Sequence, residues 1–88
     1  MRLKKILKLS SFNLNTYVIG GPENIQERHL LPSETKSEAL VRFVDIFSSL
    51  GLDVFQLRFK NSSDDDFLKL ANEVVQVLKN TNCKLCIN

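Results

Sequence analysis

The chain has 88 residues, 43% of them hydrophobic, which is enough for one modest core and excludes a second domain. Twelve basic and ten acidic residues leave a net charge of +2, an ordinary mixed surface that does not indicate a nucleic-acid partner. No run approaches the ~18 apolar residues of a membrane span, so no membrane partner is expected.

The first segment, residues 1–14, mixes lysine and arginine with leucine and isoleucine. A secretory signal would need an uninterrupted apolar core of about 7–15 residues and a cleavage site, and Lys8 interrupts the run. An interfacial basic helix would need a longer apolar face. Of these three interpretations, we favour a short basic N-terminal arm or helical turn packed on the domain, and we place the domain proper at residues 15–88.

Within residues 15–88, β-rich runs alternate with helical patterns. Residues 16–19 are β-rich and end at Gly-Gly-Pro, which predicts a first strand followed by a turn. After a polar stretch, Ser33 or Thr35 can cap a helix that Gly51 ends. The apolar residues of this helix fall at helical spacing: Leu40, Phe43, Val44, Phe47 and Leu50.

A second strand is predicted at residues 53–59 and a third at residues 84–87. Between them, Ser63 with Asp66 three residues later is a capping pattern. The helix that it opens has one apolar face, formed by Phe67, Leu70, Ala71, Val74, Val75 and Leu78. Strands connected by single helices are typical of parallel βαβ units, so the predicted fold class is α/β with a parallel βαβαβ arrangement.

The second predicted strand has one polar face, because side chains alternate along a strand. Phe55, Leu57 and Phe59 share the apolar face. Gln56, Arg58 and Lys60 share the other, at the carboxyl end, where the active sites of βα barrels lie. Burying unpaired cations costs several kcal/mol each, so we expect either an anion, such as phosphate or pyrophosphate, or a solvated edge.

Three stretches together resemble the thiamine-phosphate synthase family: residues 51–60 (GLDVFQLRFK), residues 70–73 (LANE) within the following helix, and residues 85–88 (LCIN). Residues 17–21 (YVIGG) resemble the first strand and turn of that family. The resemblance covers residues 15–88 and implies the first three strands of a (β/α)8 TIM barrel. It also implies a transferase of thiamine biosynthesis, which joins hydroxymethylpyrimidine pyrophosphate to thiazole phosphate and releases pyrophosphate.

By that resemblance, Gln56, Arg58, Lys60 and Asn88 bind the pyrimidine pyrophosphate, and Mg²⁺ is the cofactor. The family usually has Glu where this chain has Phe59, and it follows the asparagine with an aspartate that helps to hold Mg²⁺. The chain ends before that position, so the metal ligands are expected to be absent. We therefore expect a truncated, pyrophosphate-binding member that is inactive alone and has no catalytic residues of its own.

Two other interpretations stay open. One is a non-catalytic relative that binds a phosphate ligand or has a regulatory role. The other is a small α/β domain that self-associates through its open sheet edges. Two cysteines without a signal segment predict reduced thiols in the cytoplasm.

Three further features have simple structural explanations. Cys83 and Cys86 are spaced as in redox and zinc motifs, but on a strand that spacing sends their side chains to opposite faces. The acidic run at residues 64–66 suits the first turn of a helix. His29 has no evident ligand or base partner and is predicted to be a surface residue.

Overall fold

The structure, a computed structural model, describes residues 2–8 and 13–87, with side chains from residue 16 onward. One sheet has the strand order β1-β2-β3-β4, formed by Arg2–Lys8, Asn13–Gly20, Val54–Leu57 and Lys84–Ile87. Strands β2, β3 and β4 are parallel. Helix α1 (Lys36–Ser49) connects β2 to β3, and α2 (Asp64–Leu78) connects β3 to β4. The predicted βαβαβ arrangement is therefore observed, as a small α/β domain.

The prediction of a helical turn in the basic N-terminal segment is wrong. Arg2–Lys8 forms β1, which pairs antiparallel with β2, with Arg2 opposite Ile19 and Lys8 opposite Asn13. A helix of seven residues is marginal by itself, whereas pairing with β2 satisfies the backbone groups of both strands. The segment thus adds an antiparallel strand to the parallel sheet, and β2 starts at Asn13 rather than at the predicted Thr16.

Both helices begin at the predicted caps. The Thr35 hydroxyl accepts the N–H of Glu38 at 3.1 Å, and the Glu38 carboxylate accepts the N–H of Thr35 at 2.9 Å. At α2, the Ser63 hydroxyl accepts the N–H of Asp66 at 3.1 Å. The bonds at α1 are reciprocal and α2 has a single one, and all of them satisfy amide groups that the start of a helix leaves without partners. Gly51 follows α1 with φ +101°, a left-handed conformation that favours glycine.

The core lies between one face of the sheet and the two helices, which contact each other on that face. Phe55 and Leu57 of β3 have no exposed surface. The remaining buried apolar residues are Val18, Ile25, Ala39, Leu40, Val44, Leu52, Leu70, Val74, Leu78 and Cys83. Leu50, predicted to lie on the apolar face of α1, caps the helix instead and is 80% exposed. The opposite face of the sheet, with Tyr17, Ile19 and Gln56, is half-buried and has no helix over it in the described part of the chain.

A pair of reciprocal contacts joins β2 to the start of β3. The Asp53 carboxylate accepts the N–H of Thr16 at 2.7 Å, and the Thr16 hydroxyl accepts the N–H of Asp53 at 3.2 Å. These bonds link residues 37 positions apart and hold the amino ends of the parallel pairing in register. Among the described residues, no helix is both long and apolar enough to cross a membrane.

Candidate functional site

The predicted alternation along β3 is confirmed. Phe55 and Leu57 are fully buried under the helices, whereas Gln56 is half-buried and lies on the other face of the sheet. Phe59, the residue that departs from the family pattern, is half-buried and packs against the core. Its side chain therefore contributes packing on the helix side, as expected for this position.

Of the four predicted ligand-binding residues, Gln56, Arg58 and Lys60 do not all lie on the strand. Strand β3 ends at Leu57, and Arg58 continues the pairing because its N–H donates to the carbonyl of Gly20 at 3.0 Å. Lys60 lies in the turn that follows, next to Asn61 with φ +59°. The predicted strand to residue 59 is thus too long, because the chain turns there to reach the cap of α2. Gln56 and Arg58 follow each other on the sheet, and Lys60 lies beyond its edge.

Arg58 and Lys60 are both exposed. Among the residues whose side chains are described, the single ion pair is Arg42 with Glu34, and neither Arg58 nor Lys60 makes a side-chain hydrogen bond. Neither cation incurs the cost of burial, because water solvates both groups. The two cations are instead available to a ligand at the carboxyl end of the parallel strands. Asn88 lies outside the described residues.

A glycine turn after β2 lies directly beside this edge. A β-carbon on Gly21 would overlap the carbonyl oxygen of Arg58, so only glycine lets the two backbones approach. The Gly21 N–H donates to the Asn24 side-chain oxygen at 2.9 Å, which holds the short 3-10 turn Pro22–Asn24. The turn brings Gly20, Gly21 and Arg58 together at the carboxyl ends of β2 and β3.

Sequence reasoning missed Glu23, which this turn places at the same edge. One carboxylate oxygen of Glu23 accepts the N–H of Lys60 at 3.4 Å. The other lies 3.0 Å from where a β-carbon on Gly21 would stand. The carboxylate thus opposes an anion there and offsets part of the positive charge. The contact spans 37 positions, and its one local sign is the acid that follows Gly-Gly-Pro.

The loop before α1 is held by a bidentate ion pair. Arg42 Nε and Nη2 donate to the two carboxylate oxygens of Glu34, both at 2.9 Å, and Nη2 also donates to the carbonyl of His29 at 2.9 Å. The hydrogen bond from Arg42 lowers the pKa of Glu34, as does the N–H of Leu31. His29 is an exposed residue that packs edge-on against Phe43. The prediction that His29 is a surface residue is confirmed.

The two cysteines do not form a paired site. Cys83 is buried and Cys86 is exposed, and both are free thiols. Burial raises the pKa of the Cys83 thiol, which makes its thiolate less accessible. The described residues contain no group of three His, Cys, Asp or Glu side chains that could hold a metal ion, Asp64–Asp66 included. The described residues therefore do not fit the Mg²⁺ that the family resemblance implies.

A cleft of about 500 Å³ lies between the two helices near their amino ends, and Phe59 is one of the residues that line it. Its charged side chains are Glu38, Asp66, Glu73 and Lys69. Three carboxylates against one ammonium make this cleft unsuitable for a phosphate. The cationic edge formed by Gln56, Arg58 and Lys60 is the better candidate for an anion.

No protein-family model, curated protein or solved structure matches the chain. The resemblance to the thiamine-phosphate synthase family therefore rests on the residues themselves, chiefly on the polar face of β3 and the capped helix after it.

Proposed function

We propose that this chain binds a ligand that carries a pyrophosphate group, at the cationic edge of Gln56, Arg58 and Lys60, as a relative of thiamine-phosphate synthase. The observation that carries the proposal is the position of two exposed cations at the carboxyl ends of parallel strands, beside a glycine turn. Arg58 supplies a planar fork for two phosphate oxygens, and Lys60 supplies a mobile point charge. The Gln56 amide lies one step further down the same strand face and adds a neutral donor.

The proposal includes the fold relationship. Strands β2, β3 and β4, with α1 and α2 between them, correspond to the first three strands and the first two helices of a (β/α)8 barrel, which has eight parallel strands. Strand β1 occupies the edge of β2 at which a closed barrel would pair its last strand. Because β1 occupies this edge, the described sheet does not close into a barrel, and we assign the chain ligand binding rather than synthesis. Cytoplasmic location is part of the proposal, because both cysteines are free thiols.

Calorimetric titration with inorganic pyrophosphate tests the binding site. Arg58→Ala is expected to weaken binding by about tenfold or more, because a hydrogen bond to a charged group contributes about 1.5–3 kcal/mol. Lys60→Ala is expected to act in the same direction, with a smaller effect because its charge is more mobile. The matched control is Arg28→Ala, an exposed arginine in the 3-10 turn Glu27–His29. Equal heats of pyrophosphate binding for wild type and Arg58→Ala would show that Arg58 does not form the proposed site.

A second titration distinguishes specific binding of the pyrimidine ligand from binding of any polyanion. Hydroxymethylpyrimidine pyrophosphate is expected to bind more tightly than inorganic pyrophosphate, because the ring adds contacts with the half-buried face that carries Ile19 and Gln56. Equal affinities would leave anion binding without the link to thiamine synthesis. Formation of thiamine phosphate from both substrates by the chain alone would contradict the assignment of binding without synthesis.

A further inference from the structure

The outer edge of β4 has hydrogen-bonding groups without partners in the described residues, since β4 is paired with β3 only. The Lys84 N–H donates to the carbonyl of Asp53, on the β3 side, at 2.9 Å. Successive residues of a strand direct their backbone groups to opposite sides. Lys84 and Cys86 are therefore bonded toward β3, whereas Leu85 and Ile87 direct their N–H and C=O groups outward.

An apolar strip lies next to this edge. Leu68 and Val75 of α2 are 59% and 45% exposed, and Ile87 of β4 is 52% exposed. Ile87 is in register with the buried Leu57, so its side chain lies on the face that the helices cover. The strip therefore combines side chains from α2 and β4.

The apolar strip lies on the flank of α2 that faces away from α1. Asp66, Lys69 and Glu73 line the cleft toward α1. Because a helix turns about 100° per residue, Leu68 and Val75 lie on the far flank, toward the outer edge of β4. The outer edge of β4 and the apolar strip are thus two separate features that face the same side of the domain.

We propose that two copies of this chain associate through that side, with their β4 strands antiparallel about a two-fold axis. A two-fold interface requires a self-complementary surface. The outward groups of Leu85 and Ile87 meet this requirement, because each residue offers one donor and one acceptor. The two sheets then join into one, and the α2 helices lie side by side across the axis with Leu68 and Val75 of each copy turned toward the other.

The backbone groups that already form hydrogen bonds within the domain determine the register between the two β4 strands. Placing Leu85 opposite Ile87 of the second copy gives a partner to every outward N–H and C=O of those two residues. Placing Leu85 opposite itself would call on the N–H of Cys83, which already donates to the Thr81 hydroxyl at 3.2 Å. The first register also keeps the two Lys84 side chains at opposite ends of the ladder, which avoids a like-charge pair. It sets Cys86 directly opposite Cys86 of the second copy.

Sedimentation of the 88-residue chain over a range of concentrations tests the association. We expect a reversible dimer that Ile87→Pro weakens at least about tenfold relative to Ile87→Ala, since proline removes an outward N–H once in each copy. The Ile87 N–H points away from β3, so the proline breaks no bond within the domain. Circular dichroism checks that both variants are folded. A monomer at every concentration, or equal weakening by the two folded variants, would overturn the proposal.

The register has its own test. A directly opposed pair without mutual hydrogen bonds has Cα atoms about 4.5 Å apart, within the range of a disulfide. Under mild oxidation, the Cys83→Ser chain is expected to form a disulfide-linked dimer, and the Cys86→Ser chain is expected to dimerise without a link. A dimer that never links through Cys86 would overturn the register. These readouts use no pyrophosphate, so their result is independent of the proposed ligand.

Discussion

Gly21 and Arg58 lie so close together that a β-carbon on Gly21 would overlap the carbonyl oxygen of Arg58. The N–H of Arg58 donates to the carbonyl of Gly20 at 3.0 Å, one residue before. The end of β3 is therefore positioned by the glycine turn after β2. This contact sets where the Arg58 side chain leaves the sheet, and so links the turn to the proposed pyrophosphate site.

Gly21→Ala is expected to lower the free energy of unfolding by about 2–3 kcal/mol, because overpacking against a backbone atom forces the strands apart. Gly51→Ala is the control: nothing lies within 4 Å of its β-carbon position, but its φ of +101° is unfavourable for alanine. We expect the control to lose about 1–2 kcal/mol. Urea denaturation measures both changes. A smaller loss for Gly21→Ala than for Gly51→Ala would contradict the close approach described here.

Asp53→Ala is expected to lower the free energy of unfolding by about 1.5–3 kcal/mol, because the half-buried N–H of Thr16 loses a charged acceptor. Asp53→Asn retains an acceptor oxygen and is expected to lose less than about 1 kcal/mol. Asp45→Ala, on the exposed side of α1, is the control and is expected to change stability little. Similar losses for Asp53→Ala and Asp45→Ala in thermal unfolding would show that the contact with Thr16 does not hold β2 to β3.

Glu23→Gln is expected to strengthen pyrophosphate binding by about two- to fivefold, because it removes a negative charge beside the cationic edge in a solvated setting. The variant keeps an oxygen that can accept the N–H of Lys60. Glu27→Gln changes net charge equally, from the exposed 3-10 turn Glu27–His29. Calorimetry at low ionic strength measures both. If the two variants bind pyrophosphate equally well, the carboxylate of Glu23 does not act at the site.

Glu34 is expected to make stability depend on pH. Arg42 lowers the pKa of Glu34 in the folded state below its ordinary value of 4.5. The stabilisation is therefore complete above that value and is lost as the pH falls through the lowered folded pKa. Glu34→Gln is expected to reduce the urea midpoint at about pH 7 and to have a smaller effect at about pH 2, because the stabilisation decreases as the pH falls below the ordinary pKa of the carboxyl. A reduction of equal size at both pH values would show that the carboxylate charge is not the cause.

The helices were predictable because their signals are local. Thr35 with Glu38, and Ser63 with Asp66, make contacts three residues apart, so the residues that start each helix stand together in the chain. The alternation of Phe55, Gln56 and Leu57 is likewise a property of neighbouring residues. These features predict the parallel arrangement and the face on which Gln56 lies.

The rest depended on pairings between distant parts of the chain. The composition of Arg2–Lys8 does not distinguish a helix from a strand, and the backbone of β2 decides between them by pairing with it. The sequence determined that Arg58 and Lys60 follow an apolar strand and precede a capped helix. Only the tertiary structure decided that both cations are exposed, that Gly21 touches Arg58, and that Glu23 reaches Lys60. The physical reason is that helix caps and side-chain alternation act over a few residues, whereas exposure and charge depend on what the fold brings alongside.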